Sequence, residues 1–175
     1  MSLASAAPRL LGRFAGATPV TLFRIQGGAI VRLRLEAAAR AAGRASFDVS
    51  AHEGGAVVRP RAPAGADERF LGPNGMSMRP KGSMLAVIVA GFKGARSLVF
   101  EVPAGTPIPP ELCVLHEHSD HFSVQPAREM APARLNAALT AFLAQPGVVR
   151  METKEAFYAR HPDLHPIAVG FSSNA

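Results

Sequence analysis

Three polar side chains at alternate positions, His121, Ser123 and Gln125, concentrate the chemistry of this chain. They lie in the segment HFSVQP, whose Phe and Val content predicts a β-strand. Side chains two residues apart point to the same face of a strand, so an imidazole, a hydroxyl and an amide would meet there. Such a group can hold a ligand through hydrogen bonds, and an imidazole can also move a proton. We therefore expect a ligand-binding site on this face.

The histidines of the same region support a different interpretation. His116, His118 and His121 form the pattern H-x-H-x-x-H. Histidines at i and i+2 share a strand face, and three imidazole nitrogens suffice for a catalytic zinc with an open coordination position. An adjacent carboxylate such as Glu117 could orient the rings. Residues 118–120 also fit a polar turn between two strands, which would leave the histidines in solvent.

Arginine dominates the positive charge of the chain. Of the 19 basic residues 16 are arginines, against 13 acids, and the net charge is +6. A guanidinium pairs with phosphates and carboxylates through two parallel hydrogen bonds, so the excess favours an anionic partner: a dinucleotide, a nucleic acid or an acidic protein. A non-enzymatic nucleic-acid-binding module predicts arginines gathered on one face among aromatic residues. The arginines are instead scattered from Arg9 to Arg160, so this alternative is less favoured.

Periodicity and chain breaks predict the elements that must position these residues. Strands are predicted at residues 20–26, 97–102, 112–118 and 121–125, with one more at 56–59 inside a Gly- and Pro-rich loop region, 45–74. Helices are predicted at residues 33–42, 83–92 and 131–144, with a short one between 153 and 161, and a turn is predicted at 76–82. The helix at 131–144 has the strongest signal, because its apolar residues recur at i, i+3, i+4, i+7 and i+8.

Size and composition indicate one folded domain. A chain of 175 residues with 48% hydrophobic residues can bury a real core. Cys113 is the only cysteine, so an intrachain disulfide is excluded and a reducing compartment is the simpler expectation. The longest apolar run, residues 84–91, is too short to cross a bilayer, and no membrane partner is expected. We predict an α+β (mixed α/β) domain with a small, twisted, mainly antiparallel sheet flanked by helices.

The first residues have a composition of their own. No acid occurs before Glu36, while Arg9 and Arg13 lie among Ala, Ser, Leu and Gly. This composition is typical of a mitochondrial transit peptide, and a short flexible terminus is the alternative. We expect residues 1–18 to lie outside the core and residues 19–170 to form the domain.

Four segments occur in an order that resembles a known toxin family. They are TLFR at residues 21–24, GMS at 75–77, PAGTPIPPEL at 103–112 and HFSVQPA at 121–127. This order resembles the Tse-type effector toxins of bacterial type VI secretion, whose domain looks like an ADP-ribosyltransferase. The resemblance implies an ADP-ribosyltransferase-like fold and an enzyme that consumes NAD in the cytoplasm of a target cell. It also implies an acceptor of ADP-ribose, whose nature is not defined, and an immunity-type protein as a partner.

The resemblance implies a role for particular residues. Arg24 on the first strand would bind the phosphates of NAD, and Ser77 would line the nicotinamide end of the pocket. His121 and Gln125 would contact the ribose, with Ser77, His121 and Gln125 forming the catalytic group. The family has Gly-Thr-Ser where this chain has GMS, so the hydroxyl of the threonine is absent at Met76.

Many ADP-ribosyltransferases carry a glutamate on a late strand, which stabilises the positive charge that develops as nicotinamide leaves. No glutamate occurs on the strand that matches the family here. The nearest glutamates, Glu117 and Glu129, lie outside that strand. The sequence therefore predicts a site without the carboxylate that this chemistry uses.

Overall fold

The computed structural model describes residues 10–60, 74–94 and 96–166 of the chain. Within them the strands are β1 (Gly12–Phe14), β2 (Leu22–Gly27), β3 (Met76–Met78), β4 (Ser97–Val102), β5 (Leu112–His118), β6 (His121–Pro126) and β7 (Arg150–Thr153). The α-helices are α1 (Glu36–Ala41), α2 (Ser83–Gly91), α3 (Pro132–Leu143) and α4 (Lys154–Arg160), and short 3-10 helices lie at Glu53–Gly55 and Pro162–Leu164. This architecture confirms the predicted α+β fold class.

The strands form two antiparallel sheets, whereas one sheet was predicted. The strand order is β1-β5-β6-β3 in the first sheet and β2-β4-β7 in the second. The edge strands β3 and β2 meet where Phe23 and Arg79 exchange backbone hydrogen bonds of 2.6 and 3.0 Å. Because the ladder is not continued past this pair in the described residues, a split lies between the two sheets.

The main core fills the space between both sheets and α3. Its members come from the first sheet (Met76, Val114, Val124), the second sheet (Leu22, Phe100, Val102) and α3 (Leu135, Leu139, Phe142). Each fully buried Leu or Phe contributes roughly 1.5–3 kcal/mol to folding relative to an exposed one. The apolar stripe predicted for the helix at 131–144 is confirmed, because those residues of α3 are the buried ones.

A second core lies on the opposite face of the β2-β4-β7 sheet. Phe23, Ile25 and Val99 alternate with main-core residues along β2 and β4, so they point the other way. Helices α2 and α4 cover them, with Leu85, Ala86, Val89 and Phe157 buried. The segment 83–92 is therefore a helix, as predicted, and the short helix after Thr153 is confirmed as α4.

The expectation that residues 1–18 lie outside the core is wrong for their last part. Gly12–Phe14 forms β1, which pairs with β5, and Phe14 packs against the main core. Thr18 is 3% exposed, and its Oγ1 both donates to the Pro103 carbonyl and accepts the Thr106 amide. Residues 1–9 and 167–170 lie outside the described residues.

Two further predictions need correction. The helix at 33–42 begins only at Glu36, because the amide of Leu33 bonds Asn136 on α3 and the amide of Arg34 bonds the Asp48 carboxylate. These bonds hold the chain extended before α1. Residues 56–59 form no strand, although Val58 makes a two-bond bridge with Met130.

A histidine that packs against the second core, His161, should make stability depend on pH. The centroid of the His161 ring lies 4.8 Å from that of Phe157 and 5.7 Å from that of Phe23, and its buried Nε2 has no hydrogen-bond partner in the described part of the chain. Burial lowers the pKa of His161, and the positive charges of Arg160 and Lys81 lower it further. Because the unfolded chain binds a proton near pH 6.5 and the folded chain resists it, stability is complete above that pH and is lost as pH falls.

We expect His161→Phe to flatten this loss, because phenylalanine keeps the ring contacts and has no proton to bind. Urea denaturation at pH 8 and pH 5.5 measures the effect: the variant should gain stability relative to the wild type only at the lower pH. His161→Gln should also flatten the pH dependence but lower stability at both values, since the aromatic contacts are lost. If the free energy of unfolding changes with pH by the same amount in the wild type and both variants, His161 is not the group responsible.

Candidate active site

A β-bulge at the end of the β5-β6 hairpin arranges the candidate site. His118 pairs with His121 across a two-residue turn, and the next pair inward is His116 with Phe122. Glu117 therefore has no residue paired with it on β6 and is the extra residue of a bulge. In a bulge two residues on one strand oppose one residue on the other, so Glu117 and His118 both oppose His121.

The bulge removes His116 from the histidine cluster. Its ring stacks on Phe122 with 4.1 Å between centroids and an interplanar angle of 6°. Its Nε2 lies 2.7 Å from the carbonyl oxygen of Ser119, and the predicted polar turn is present at residues 119–120, with His118 in β5 instead. Phe122 belongs to the main core, so His116 lies on the core side of the sheet. The predicted metal site built on His116, His118 and His121 is therefore wrong in its first ligand.

The opposite face of the hairpin carries a connected polar cluster. Glu117 Oε1 accepts a hydrogen bond from Ser123 Oγ, and Gln125 Nε2 donates to the same Ser123 Oγ at 3.1 Å. The other carboxylate oxygen, Oε2, lies 2.5 Å from His121 Nδ1. Glu117 is only 1% exposed. The prediction that His121, Ser123 and Gln125 share a face is confirmed, and the structure adds a buried carboxylate between them.

The sequence indicates Glu117 only as a carboxylate that could orient the histidine rings, which its contact with His121 bears out, and not as a member of the catalytic group, because the strand that matches the family is β6. The acid comes instead from the neighbouring strand β5. If the hairpin kept the same two-residue turn and had no bulge, Glu117 would pair with Phe122 and face the core side. The bulge therefore brings Glu117 to the polar face. Glu129, the other acid considered, is 60% exposed and bonds Arg59 Nε at 2.9 Å, so it lies outside the cluster.

Ser77 belongs to the same face of the first sheet. It lies on β3, which replaces the predicted turn at 76–82, and it pairs with Ser123 of β6. The neighbouring Met76 is fully buried in the main core, so its position points away from the site. A hydroxyl at 76 would face the core side, and its absence in this chain leaves the Ser77 face unchanged.

Gly75 explains how β3 lies so close to β6. A Cβ on Gly75 would be 2.2 Å from the carbonyl oxygen of Val124 and 2.9 Å from Gln125 Cγ. The Val124 carbonyl is a backbone group, so it cannot move aside without shifting β6. Close packing of β3 against β6 therefore requires a glycine at the first position of the GMS segment.

Arg24 spans the split between the two sheets. Its Nη1 donates to the Ser77 carbonyl at 3.0 Å, and its Nε donates to Gln26 Oε1 at 2.8 Å. The structure thus brings Arg24 and Ser77 together, as the predicted site requires. Burial lowers the pKa of the Arg24 guanidinium to about 10, and the charge of Arg34 adds to the effect.

The charge of Arg24 is incompletely compensated. Asp48 raises its pKa, but both oxygens of that carboxylate are held by Arg34, at 3.0 Å each. Within residues 10–60, 74–94 and 96–166, Arg24 bonds neutral oxygens and forms no ion pair of its own. A part-buried cation in this state is a favourable binding partner for an anion.

A comparison with known families gives this geometry its context. A sequence model of the Tse2 ADP-ribosyltransferase toxins matches residues 20–156. The chain belongs to this toxin family. The match extends from the start of β2 into α4, so it includes Arg24, Ser77, Glu117 and the β6 residues, and it leaves out β1. No curated protein sequence matches the chain.

Two cavities among the described residues of this toxin-family domain lie near the split and at the far end of the second sheet. A small cavity of about 100 Å³ is lined by Arg24, Ser77 and Arg79 together with residues of the second core. A larger one of about 680 Å³ lies at the far end of the β2-β4-β7 sheet, beside Arg96 and Lys154. The larger cavity holds no buried carboxylate, and its one acid, Glu155, is exposed. The volume of the large cavity favours ligand binding there. The guanidinium of Arg24 beside Ser77 favours ligand binding at the split between the two sheets.

Two other histidines of the toxin-family domain, His161 and His165, make aromatic contacts elsewhere in the fold. His161 packs against the second core, and the His165 ring contacts Tyr158 at 4.8 Å. None of the helices in the described part of the chain has the length and apolar content to cross a bilayer.

Proposed function

We propose that this chain uses NAD as its substrate and transfers ADP-ribose to an acceptor inside a target cell. The reaction breaks the bond between the nicotinamide nitrogen and ribose C1′. The bonding electron pair leaves with nicotinamide, and an oxygen or nitrogen of the acceptor bonds C1′ and loses its proton. The buried Glu117 carboxylate beside His121 and Ser123 carries this proposal, because positive charge develops on the ribose as nicotinamide leaves.

Arg24 is proposed to bind the NAD pyrophosphate. Its guanidinium is part-buried, bonds only neutral oxygens in the described residues and lies next to the Ser77 carbonyl at the split. A guanidinium can bond pyrophosphate with two parallel N–H donors. With the phosphates anchored there, the nicotinamide ribose would extend over Ser77 toward the polar face of β6.

The roles of the other polar residues follow from their contacts. Ser77, opposite Ser123, would line the nicotinamide end, and His121 would contact the ribose and relay a proton through its Nδ1 beside Glu117. Gln125 holds the Ser123 hydroxyl and so helps to orient the carboxylate, in addition to its proposed contact with the ribose. Glu117 would stabilise the cationic ribose.

The family also suggests a setting for this activity. We infer delivery by type VI secretion, action in the cytoplasm of the target cell, and an immunity-type protein that neutralises the toxin in the producing cell. The acceptor of ADP-ribose is a protein, a nucleic acid or a small metabolite. The scattered arginines do not favour a nucleic acid.

Calorimetry and product analysis with purified protein test the proposal. We expect the wild type to bind NAD with an affinity in the usual enzyme range, roughly 1 μM to 1 mM, and to release nicotinamide that chromatography detects. A double variant, Arg24→Ala with Ser77→Ala, should do neither while keeping its circular dichroism spectrum. Absence of heat and of nicotinamide at millimolar NAD would contradict the proposal.

A further inference from the structure

The bulge at Glu117 also assembles a set of metal ligands. The carboxylate of Glu117 and one ring nitrogen each from His118 and His121 all lie within 4.8 Å of one another. The two imidazole rings face each other across the turn with 5.1 Å between centroids. One carboxylate and two imidazoles form a ligand set that zinc accepts while keeping a fourth position open.

Two buried atoms in this group lack a satisfactory partner. Among the residues that the structure describes, the buried atoms Glu117 Oε2 and His121 Nδ1 form no well-directed hydrogen bond, although they lie 2.5 Å apart. Buried polar atoms are almost always satisfied, so such a pair calls for an explanation. A cation between them would satisfy both. Two donors on a tetrahedral zinc lie about 3.4 Å apart, given metal–ligand bonds near 2.1 Å, so the pair need only open by about 1 Å.

The surroundings favour these three ligands. Ser123 Oγ donates to Glu117 Oε1, which orients the carboxylate and leaves Oε2 directed toward His121. Asp120 in the turn is bonded by Arg79 and does not join the group. Imidazole nitrogens favour a transition metal over Mg²⁺ or Ca²⁺, which prefer oxygen ligands.

We propose that Glu117, His118 and His121 bind a divalent transition metal, with zinc preferred, and that the bound metal switches the enzyme off. Coordination occupies Glu117 Oε2 and His121 Nδ1, the two groups that the proposed reaction needs free. The inhibitory half of this inference rests on the proposed function, whereas the binding half does not. His118 contributes only to the metal site, since it is exposed and takes no part in the proposed catalysis.

Titration of untagged protein with zinc chloride tests the binding half. We expect one equivalent of Zn²⁺ to bind and to raise the thermal midpoint, because a ligand that binds only the folded state stabilises it. His118→Ala should weaken zinc binding about tenfold or more, as the site loses one of three ligands. His52→Ala, which removes another exposed histidine, is the matched control and should bind zinc as the wild type does. Equal zinc binding by both variants, or no stoichiometric binding, overturns the site.

Activity measured with and without zinc tests the inhibitory half. Zinc should suppress nicotinamide release by the wild type and by His52→Ala, while His118→Ala should keep its activity at the same zinc concentration. If zinc binds at the site and activity persists, the switch is overturned and the metal site stands. If no protein releases nicotinamide, the proposed function fails, and the titration still decides the metal site.

Discussion

Glu117→Gln is expected to lower the rate of nicotinamide release about 100- to 1,000-fold, the range typical of removing one preorganised electrostatic stabiliser. The amide has nearly the shape of the carboxylate and can still accept the Ser123 hydroxyl, but it carries no negative charge for the cationic ribose. Because NAD is anchored elsewhere, its Kd should change little. Steady-state assays of nicotinamide release, with calorimetry for NAD binding, measure the two effects separately.

Stability separates this result from a folding defect. A glutamine at position 117 can still accept the Ser123 hydroxyl and can donate its amide to His121 Nδ1, so the buried polar atoms keep partners and the variant should unfold near the urea concentration of the wild type. Glu129→Gln is the matched control, because it is the same substitution at a glutamate that is 60% exposed and pairs with Arg59 outside the cluster. Equal rates for Glu117→Gln and the wild type would remove Glu117 from the mechanism.

Arg24→Ala is expected to weaken NAD binding about 10- to 100-fold, since a hydrogen bond to a charged group contributes roughly 1.5–3 kcal/mol. The substitution removes the cation that we place against the pyrophosphate. Arg24→Lys should recover part of the loss, because an ammonium keeps the charge but cannot donate two parallel hydrogen bonds. Calorimetric titration with NAD measures all three proteins.

Arg96→Ala is the informative control for this series. Arg96 is an exposed arginine beside the second sheet, whereas Arg24 is part-buried, and Arg96 lines the 680 Å³ cavity and not the split. We expect its NAD affinity to stay within about twofold of the wild type, in line with the small effects of most exposed charges. A larger loss for Arg96→Ala than for Arg24→Ala would move the cofactor to the large cavity.

Local sequence signals were sufficient for the elements with strong periodicity. The apolar stripe of α3 needs only the helical repeat of its own residues, and the β5-β6 hairpin needs only two β-prone runs around a polar turn. The short strands β1 and β3 were missed, since three residues show no reliable periodicity. Each of these strands forms because its backbone pairs with a neighbouring strand, β1 with β5 and β3 with β6. This pairing depends on the tertiary structure and not on the local sequence.

The sequence by itself determined the toxin family, the α+β fold class and the polar face of β6 with His121, Ser123 and Gln125. Only the tertiary structure decided what opposes that face. Side chains alternate along a strand. One extra residue in β5 therefore shifts its pairing with β6 by one position, and each side chain of β5 up to the bulge changes from one face of the sheet to the other. The bulge turns His116 to the core side, against Phe122, and brings Glu117 to the polar face beside His121. With the same turn and no bulge, His116, His118 and His121 would have shared one face of the sheet. The observed hairpin instead places a buried carboxylate among the residues proposed for catalysis.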